Sequence, residues 1–245
     1  MTRLRNTGED PRRLQQLEKE YKYWGNATCA GDGMCSTSCP MHINTGELTH
    51  VLRQKELPEG SLGYKAGDLA AKHLAGIKAT LRPMLTLADT AHAVLGTKAM
   101  SAITRGMHQA LKVPQWTPAM PKAFHVDKGL EASQAKVSDK VVYFPSCINQ
   151  TMGLPRKTPE KMALVNKMVS LLNKAGYEII FPKGMEHMCC GTIWESKGMM
   201  DIADRKSREL EAALWEASEH GKYPVLCDQS PCLHRMRETI KKLHL

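Results

Sequence analysis

Aromatic residues are scarce. Three Phe, six Tyr and four Trp make up only 5% of the 245 residues. No basic run interleaves with them, which argues against the stacking platform that single-stranded nucleic acid needs. No uncharged apolar run approaches the ~20 residues of a membrane-spanning helix. Residues 1–10 are polar and basic, without the apolar stretch of a secretory leader. Nor are the cysteines spread as a secreted disulfide framework would spread them. The eight present are clustered, which points to a reducing, cytoplasmic setting and to metal chemistry.

What is present is a globular balance of 42% hydrophobic and 24% charged residues, with a net charge of +9. That charge suits an acidic redox partner, an anionic membrane surface or nucleic acid, and by itself selects none of them. The length allows one large domain or two ordinary ones.

The densest cluster is Thr28-Cys29-Ala30-Gly31-Asp32-Gly33-Met34-Cys35-Ser36-Thr37-Ser38-Cys39-Pro40. Bacterial ferredoxins space their ligands C-x2-C-x2-C-x3-C-P, the last cysteine serving the other cluster of a pair. On that template Cys29, Cys35 and Cys39 take the first, third and fourth positions, and Asp32 takes the second. Gly31 and Gly33 let backbone amides turn toward a cluster, and Pro40 redirects the chain. Before the loop, Asp10-Pro11 opens a helix with Leu14, Leu17, Tyr21 and Trp24 on one stripe, ended by Gly25-Asn26. After it, Asn44 with Glu47 three residues on caps another helix.

Residues 57–136 read as a helical connector. Lys65–Lys112 predicts two or three helices, with Leu69, His73, Ile77 and Leu81 at helical spacing and interruptions at Pro83 and Gly96. Met84, Met100 and Met107 are expected in a core or on a partner surface. A basic amphipathic face allows peripheral membrane association. Val113–Pro121 reads as an extended connector and residues 124–139 as a linker.

From residue 137 the pattern alternates. Val141–Phe144, Tyr177–Phe181 and Tyr223–Leu226 read as strands. Between them, a helix opening at Thr158-Pro159 carries Met162, Val165, Val169 and Leu172 and stops at Gly176. A longer helix spans roughly 197–219, and a last one follows the third strand. Such alternation predicts an α/β unit with a small parallel βαβαβ sheet. Cys147, Cys189, Cys190, Cys227 and Cys232 all follow the carboxyl ends of strands. In an open α/β sheet those ends share one edge, so five thiols are expected to meet there. Thiolates are soft donors that select iron–sulfur clusters or zinc.

Cys147, then Cys189-Cys190-Gly191, then Cys227 with a later cysteine resembles the cysteine-rich CCG domain. That domain occurs in heterodisulfide reductase B-type subunits, in the C subunit of anaerobic glycerol-3-phosphate dehydrogenase and in lactate-utilisation proteins. The wider combination is more specific. The cysteine loop with Ile43-Asn44-Thr45-Gly46, Trp116…Met120-Pro121, Phe144-Pro145-Ser146-Cys147-Ile148-Asn149 and Cys189-Cys190-Gly191…Ser196-Lys197-Gly198 resembles the iron–sulfur portion of FAD-linked oxidases, the D-lactate dehydrogenases that pass electrons to a cytochrome or quinone.

The resemblance implies half of an α-helical ferredoxin over residues 1–56 and a CCG domain over residues 137–245. It implies a 4Fe-4S cluster at the first site, with Cys29, Asp32, Cys35 and Cys39, and a second iron–sulfur cluster or zinc at the second. FAD would lie on a separate domain or partner, because no flavin site is recognisable here; the chain then reads as a fragment or one subunit of a split oxidoreductase, not catalytic alone. Its expected partners are a flavin-binding domain and a quinone or cytochrome acceptor at the inner face of the cytoplasmic membrane. Cys227 and Cys232 are spaced C-x4-C, with Ser230 where the nearer cysteine of the usual pattern would stand. Two other readings remain open: a structural zinc module, or a thiol redox sensor using Cys189-Cys190.

Overall fold

The computed structural model describes residues 2–31, 33–111, 115–126 and 139–243. The chain divides into two compact units. The first comprises Met1–Leu69 with Gly191–Arg205; the second comprises Ala70–Cys190 with Lys206–Leu245.

In the first unit, α1 (Thr2–Thr7) precedes α2 (Pro11–Tyr21), whose N-terminus is capped by Asp10 accepting from the Arg13 backbone N–H. The helix does not stop at Tyr21. It widens into a π-turn, Lys22–Ala27. Gly25 permits this, since a Cβ there would run into the Tyr21 ring. The wider turn breaks the 3.6-residue phase, so Leu14, Leu17 and Tyr21 are half-buried while Trp24 is 72% exposed. The expected stripe therefore ends at Tyr21. The cysteine loop leads through α3 (Met34–Ser38) to α4 (Thr45–Glu56). Asn44 caps α4 as its position predicts: its side-chain oxygen accepts from the Gly46 N–H at 3.0 Å, and its amide donates to Glu47 at 3.1 Å.

The distant segment Gly191–Arg205 completes this unit. It carries α8 (Thr192–Glu195) and the first turns of α9 (Met200–Ala217). Trp194 donates its indole N–H to the Gly67 carbonyl at 2.9 Å, and Tyr64 donates to Asp201. Gly198, at φ +80°, lets the chain pass so close to the Arg53–Gln54 backbone that any side chain would collide.

In the second unit, β2 (Lys140–Phe144), β4 (Glu178–Ile180) and β5 (Val225–Cys227) form a parallel sheet in the order β4-β2-β5. Val141 pairs with Ile179 and Phe144 with Cys227. Central β2 is buried on both faces from Val141 to Phe144, as a parallel strand flanked by helices should be. Val141, Tyr143, Ile179 and Phe181 pack with Val165 and Val169 of α7 (Leu164–Lys174). That helix starts later than expected, because residues 158–163 form a turn region after Thr158-Pro159. An antiparallel pair of short strands, β1 (Pro121–Ala123) and β3 (Met152–Pro155), has no counterpart in the sequence reading. The architecture is thus mixed helix and sheet.

The largest departure lies in the helical stretch. After α5 (Leu62–Lys72), α6 runs from Leu74 to Leu111. Gly96 does break it, at φ 74° and ψ 170°, but Pro83 does not. Pro83 lies on the exposed side, where the carbonyl of Ala79 that loses its partner can face water. The expected apolar stripe is also not the buried one. Leu69 and Ile77 are exposed, while Leu74, Lys78, Leu85 and His92 point inward. Of the three methionines, Met100 is buried, and Met84 and Met107 are exposed. No helix among the described residues is long and apolar enough to cross a membrane.

One buried acid gives the fold a pH signature. Oε1 of Glu211, on α9, is buried without a hydrogen-bond partner, and burial pushes this carboxyl up from 4.5 to about 7. The native group stays protonated where the unfolded one ionises, so stability falls as pH climbs from about 4.5 to about 7 and is level above. Glu211→Gln is expected to gain roughly 1–2 kcal/mol at pH 8, after allowance for partial solvent screening, and almost nothing at pH 4. Urea denaturation of both proteins at the two pH values checks this.

Candidate metal centre

The five thiols expected at the carboxyl edge of the sheet do meet there. Cys147 follows β2, Cys189 and Cys190 follow β4, Cys227 ends β5, and Cys232 lies in the first turn of α10 (Ser230–Leu243). They form an unbroken series of neighbours. Cys147 Sγ is 3.7 Å from Cys189 Sγ; Cys189 is hydrogen-bonded to Cys190, Cys190 to Cys232, and Cys232 to Cys227. The wide C-x4-C spacing is accommodated because α10 begins at Ser230 and turns Cys232 back toward Cys227. Both cysteines belong to the series.

The protons are shared unevenly along it. Hydrogen bonds from the inner thiols lower the end groups: Cys189 acts on Cys147, and Cys232 acts on Cys227. The inner thiols, Cys189 and Cys232, donate to their neighbours and are buried, so both are pushed far above their ordinary value. None of the cysteines is joined in a disulfide.

Side chains that the sequence reading missed hold this edge in place. Asp228 accepts from the Tyr143 hydroxyl at 3.0 Å and from the Ser146 N–H at 2.9 Å, tying the end of β5 to the end of β2. Burial, then the Asp228 charge, raises the Tyr143 phenol, which therefore stays a hydrogen-bond donor. Ser207 donates to the Cys190 carbonyl. Lys78 of α6 is buried and donates to Gln150 Oε1 at 2.8 Å and to the Met185 carbonyl at 3.4 Å; Gln150 in turn donates to the Pro145 carbonyl at 2.7 Å. Burial pushes the Lys78 ammonium down to about 8, against the pull of the nearby Cys147 and Cys189 thiols. Asp228 was legible in principle, since it directly follows Cys227 at a strand end. A lysine buried on an otherwise ordinary helix carries no such signal.

The cysteine loop of the first unit is arranged differently. Cys35 is exposed; Cys29 and Cys39 are half-buried. The Cys35 sulfur receives the Thr45 hydroxyl at 3.1 Å and the Thr45 N–H at 3.3 Å, at the N-terminus of α4. The Thr45 hydroxyl, then the Gly46 and Thr45 backbone N–H groups, lower this thiol from its ordinary value. Cys29 is held through its carbonyl, which accepts from Arg53 at 2.6 Å. Asp32 lies outside the described residues. His42, His187 and His234 are exposed.

No family model, curated protein or solved structure matches the chain. Its chemistry therefore rests on the donors themselves. Among the described residues, no three His, Cys, Asp or Glu side chains already form a group that could hold a metal ion. The donor set of the second unit still fits a thiophilic group in kind: five contiguous thiols outside any disulfide, at the carboxyl edge of the sheet, beside a buried cation.

Proposed function

We propose that the chain is the iron–sulfur electron-transfer segment of an FAD-linked oxidoreductase. It would accept electrons from a flavin reduced by D-lactate or a similar 2-hydroxy acid on a partner or neighbouring domain, and deliver them to a quinone or cytochrome. The observation that carries this reading is the unbroken series of five thiols at the carboxyl edge of the parallel sheet. When bound, an iron–sulfur cluster supplies reversible one-electron transfer.

The chain's own residues do the rest. Cys147, Cys189, Cys190, Cys227 and Cys232 supply the thiolates, and binding displaces the protons that Cys189 and Cys232 hold. Lys78 sets a cation against the negative charge that several thiolates concentrate. Asp228 and Ser207 fix the backbone from which Cys227 and Cys190 project. In the first unit Cys29, Asp32, Cys35 and Cys39 are the proposed ligands of a 4Fe-4S cluster. There the Thr45 donors, already aimed at the Cys35 sulfur, are of the kind that tunes a cluster's potential.

The test is the composition of full-length protein purified without oxygen. A brown preparation containing iron and acid-labile sulfide is expected. Zinc without iron in a colourless protein would overturn the reading in favour of a structural zinc module. Absence of any metal, with rapid alkylation of Cys189 and Cys190, would overturn it in favour of a thiol sensor.

A further inference from the structure

Helix α6 is turned inside out. Before the Gly96 break its charged side chains face its own unit: Lys78 donates to Gln150, Arg82 donates to the Phe124 and Gln150 carbonyls at 3.1 and 3.0 Å, and Asp89 is ion-paired with Arg156 at 2.6 Å. Leu74 and Leu85 are buried beside them, but most of its large apolar side chains over this stretch face outward. Met84 is 65%, Leu87 70% and Val94 80% exposed. Every exposed position from Gly76 to Leu95 is uncharged, a strip about 30 Å long at 1.5 Å per residue. Water is a poor solvent for such a face, and a helix alone in water would place these two sets of side chains the other way round.

The surroundings of the strip identify what covers it. Lys72 stands exposed before the helix, and Lys98 and Arg105 stand exposed beyond the Gly96 break. Between Leu69 and Leu111 the sole acid is Asp89, and Arg156 neutralises it. Beyond that break Ile103, Met107 and Leu111 are also exposed. An apolar strip framed by cations, whose own stretch carries no acid but the ion-paired Asp89, is complementary to a surface with acyl chains beneath anionic headgroups. Pairing with a second copy fits less well, because antiparallel strips would set Lys72 of one chain against Lys98 and Arg105 of the other. A single partner helix would cover only a narrow seam of it.

We propose that α6 is a membrane-docking helix, lying along an anionic bilayer with Met84, Leu87 and Val94 in the headgroup–acyl boundary. The proposal stands independently of the redox reading. The experiment is vesicle flotation of the full-length, anaerobically purified protein. One set of vesicles is phosphatidylcholine alone, and the other contains roughly a third phosphatidylglycerol.

Binding to the anionic vesicles is expected, at least about tenfold tighter than to the neutral ones. Leu87→Glu/Val94→Glu should weaken it at least about tenfold with an unchanged melting curve, since both side chains are already in water. Lys98→Glu/Arg105→Glu, which leaves the apolar strip intact, should weaken binding to anionic vesicles about tenfold, and less as salt is raised. Absence of binding, or undiminished binding of either double variant, would overturn the proposal. So would a wild-type dimer in solution that Leu87→Glu/Val94→Glu converts to monomer. Iron and sulfide measured on the same preparations report separately on the redox reading.

Discussion

On the proposed cluster reading, Cys190→Ala is expected to strip the second unit of iron and sulfide while leaving its sheet folded. Cys190 is the middle member of the thiol series, hydrogen-bonded to Cys189 on one side and Cys232 on the other. Removing it splits the donors into two pairs, Cys147 with Cys189 and Cys227 with Cys232, and neither pair suffices to close a coordination sphere. The cost to the fold is small. The side chain lost is a single buried sulfur, worth about 1 kcal/mol, whereas the core rests on Val141, Tyr143, Val165, Val169 and Ile179. Iron and sulfide analysis against wild type, with circular dichroism and a denaturation curve, checks both halves. Cys227→Ala, at one end of the series, should retain part of the metal. Cys35→Ser should remove only the share held by the first unit. Loss of all cooperative unfolding in Cys190→Ala would show that metal, and not strand burial, holds the unit together.

Arg53→Met is expected to destabilise the first unit by about 3 kcal/mol, lowering its unfolding midpoint by roughly 12–24 °C. The Arg53 guanidinium donates to three carbonyls, two close together and one remote in sequence: Asn26 near the end of the π-turn, Cys29 at the head of the cysteine loop, and Ser196. Methionine keeps the aliphatic packing and leaves all three acceptors without this donor, at about 1–3 kcal/mol for each that water cannot reach. Arg53→Lys should recover little, because one ammonium cannot reproduce a planar fork spanning three acceptors. Thermal unfolding of the three proteins gives the ranking. Because the Cys29 carbonyl is among the partners, Arg53→Met should also loosen the cysteine loop, seen as faster alkylation of Cys29.

Much of the second unit is legible in the sequence because its signals are local. Short apolar runs such as Val141–Phe144 end at Pro145, and Tyr177–Phe181 ends at Pro182, so the strands announce both themselves and the edge at which the cysteines follow. The capping of α4 by Asn44 is legible for the same reason. What escapes is decided by tertiary partners. Helical spacing across α5 and α6 offers two stripes, Leu69-Ile77 and Leu74-Lys78-Leu85-His92, and hydrophobicity selects the wrong one. Gln150, Phe124 and Arg156 supply partners for Lys78, Arg82 and Asp89, and those partners lie dozens of residues downstream. Likewise the π-turn depends on Gly25 making room for the Tyr21 ring, a contact that no propensity scale encodes. The membership of Gly191–Arg205 in the first unit is the extreme case, since Arg53, Gly67 and Tyr64 meet partners there more than a hundred residues away.

That remote membership has a consequence for synthesis. A ribosome delivers Met1–Leu69 well before it delivers Gly191–Arg205, so the emerging amino-terminal stretch must wait for Ser196, Asp201 and Trp194, the late partners of Arg53, Tyr64 and Gly67, until most of the chain has been translated. Closure is then a late, long-loop event of the slow kind. Any assembly factor that loads the cysteine loop during translation would encounter it before its final scaffold exists.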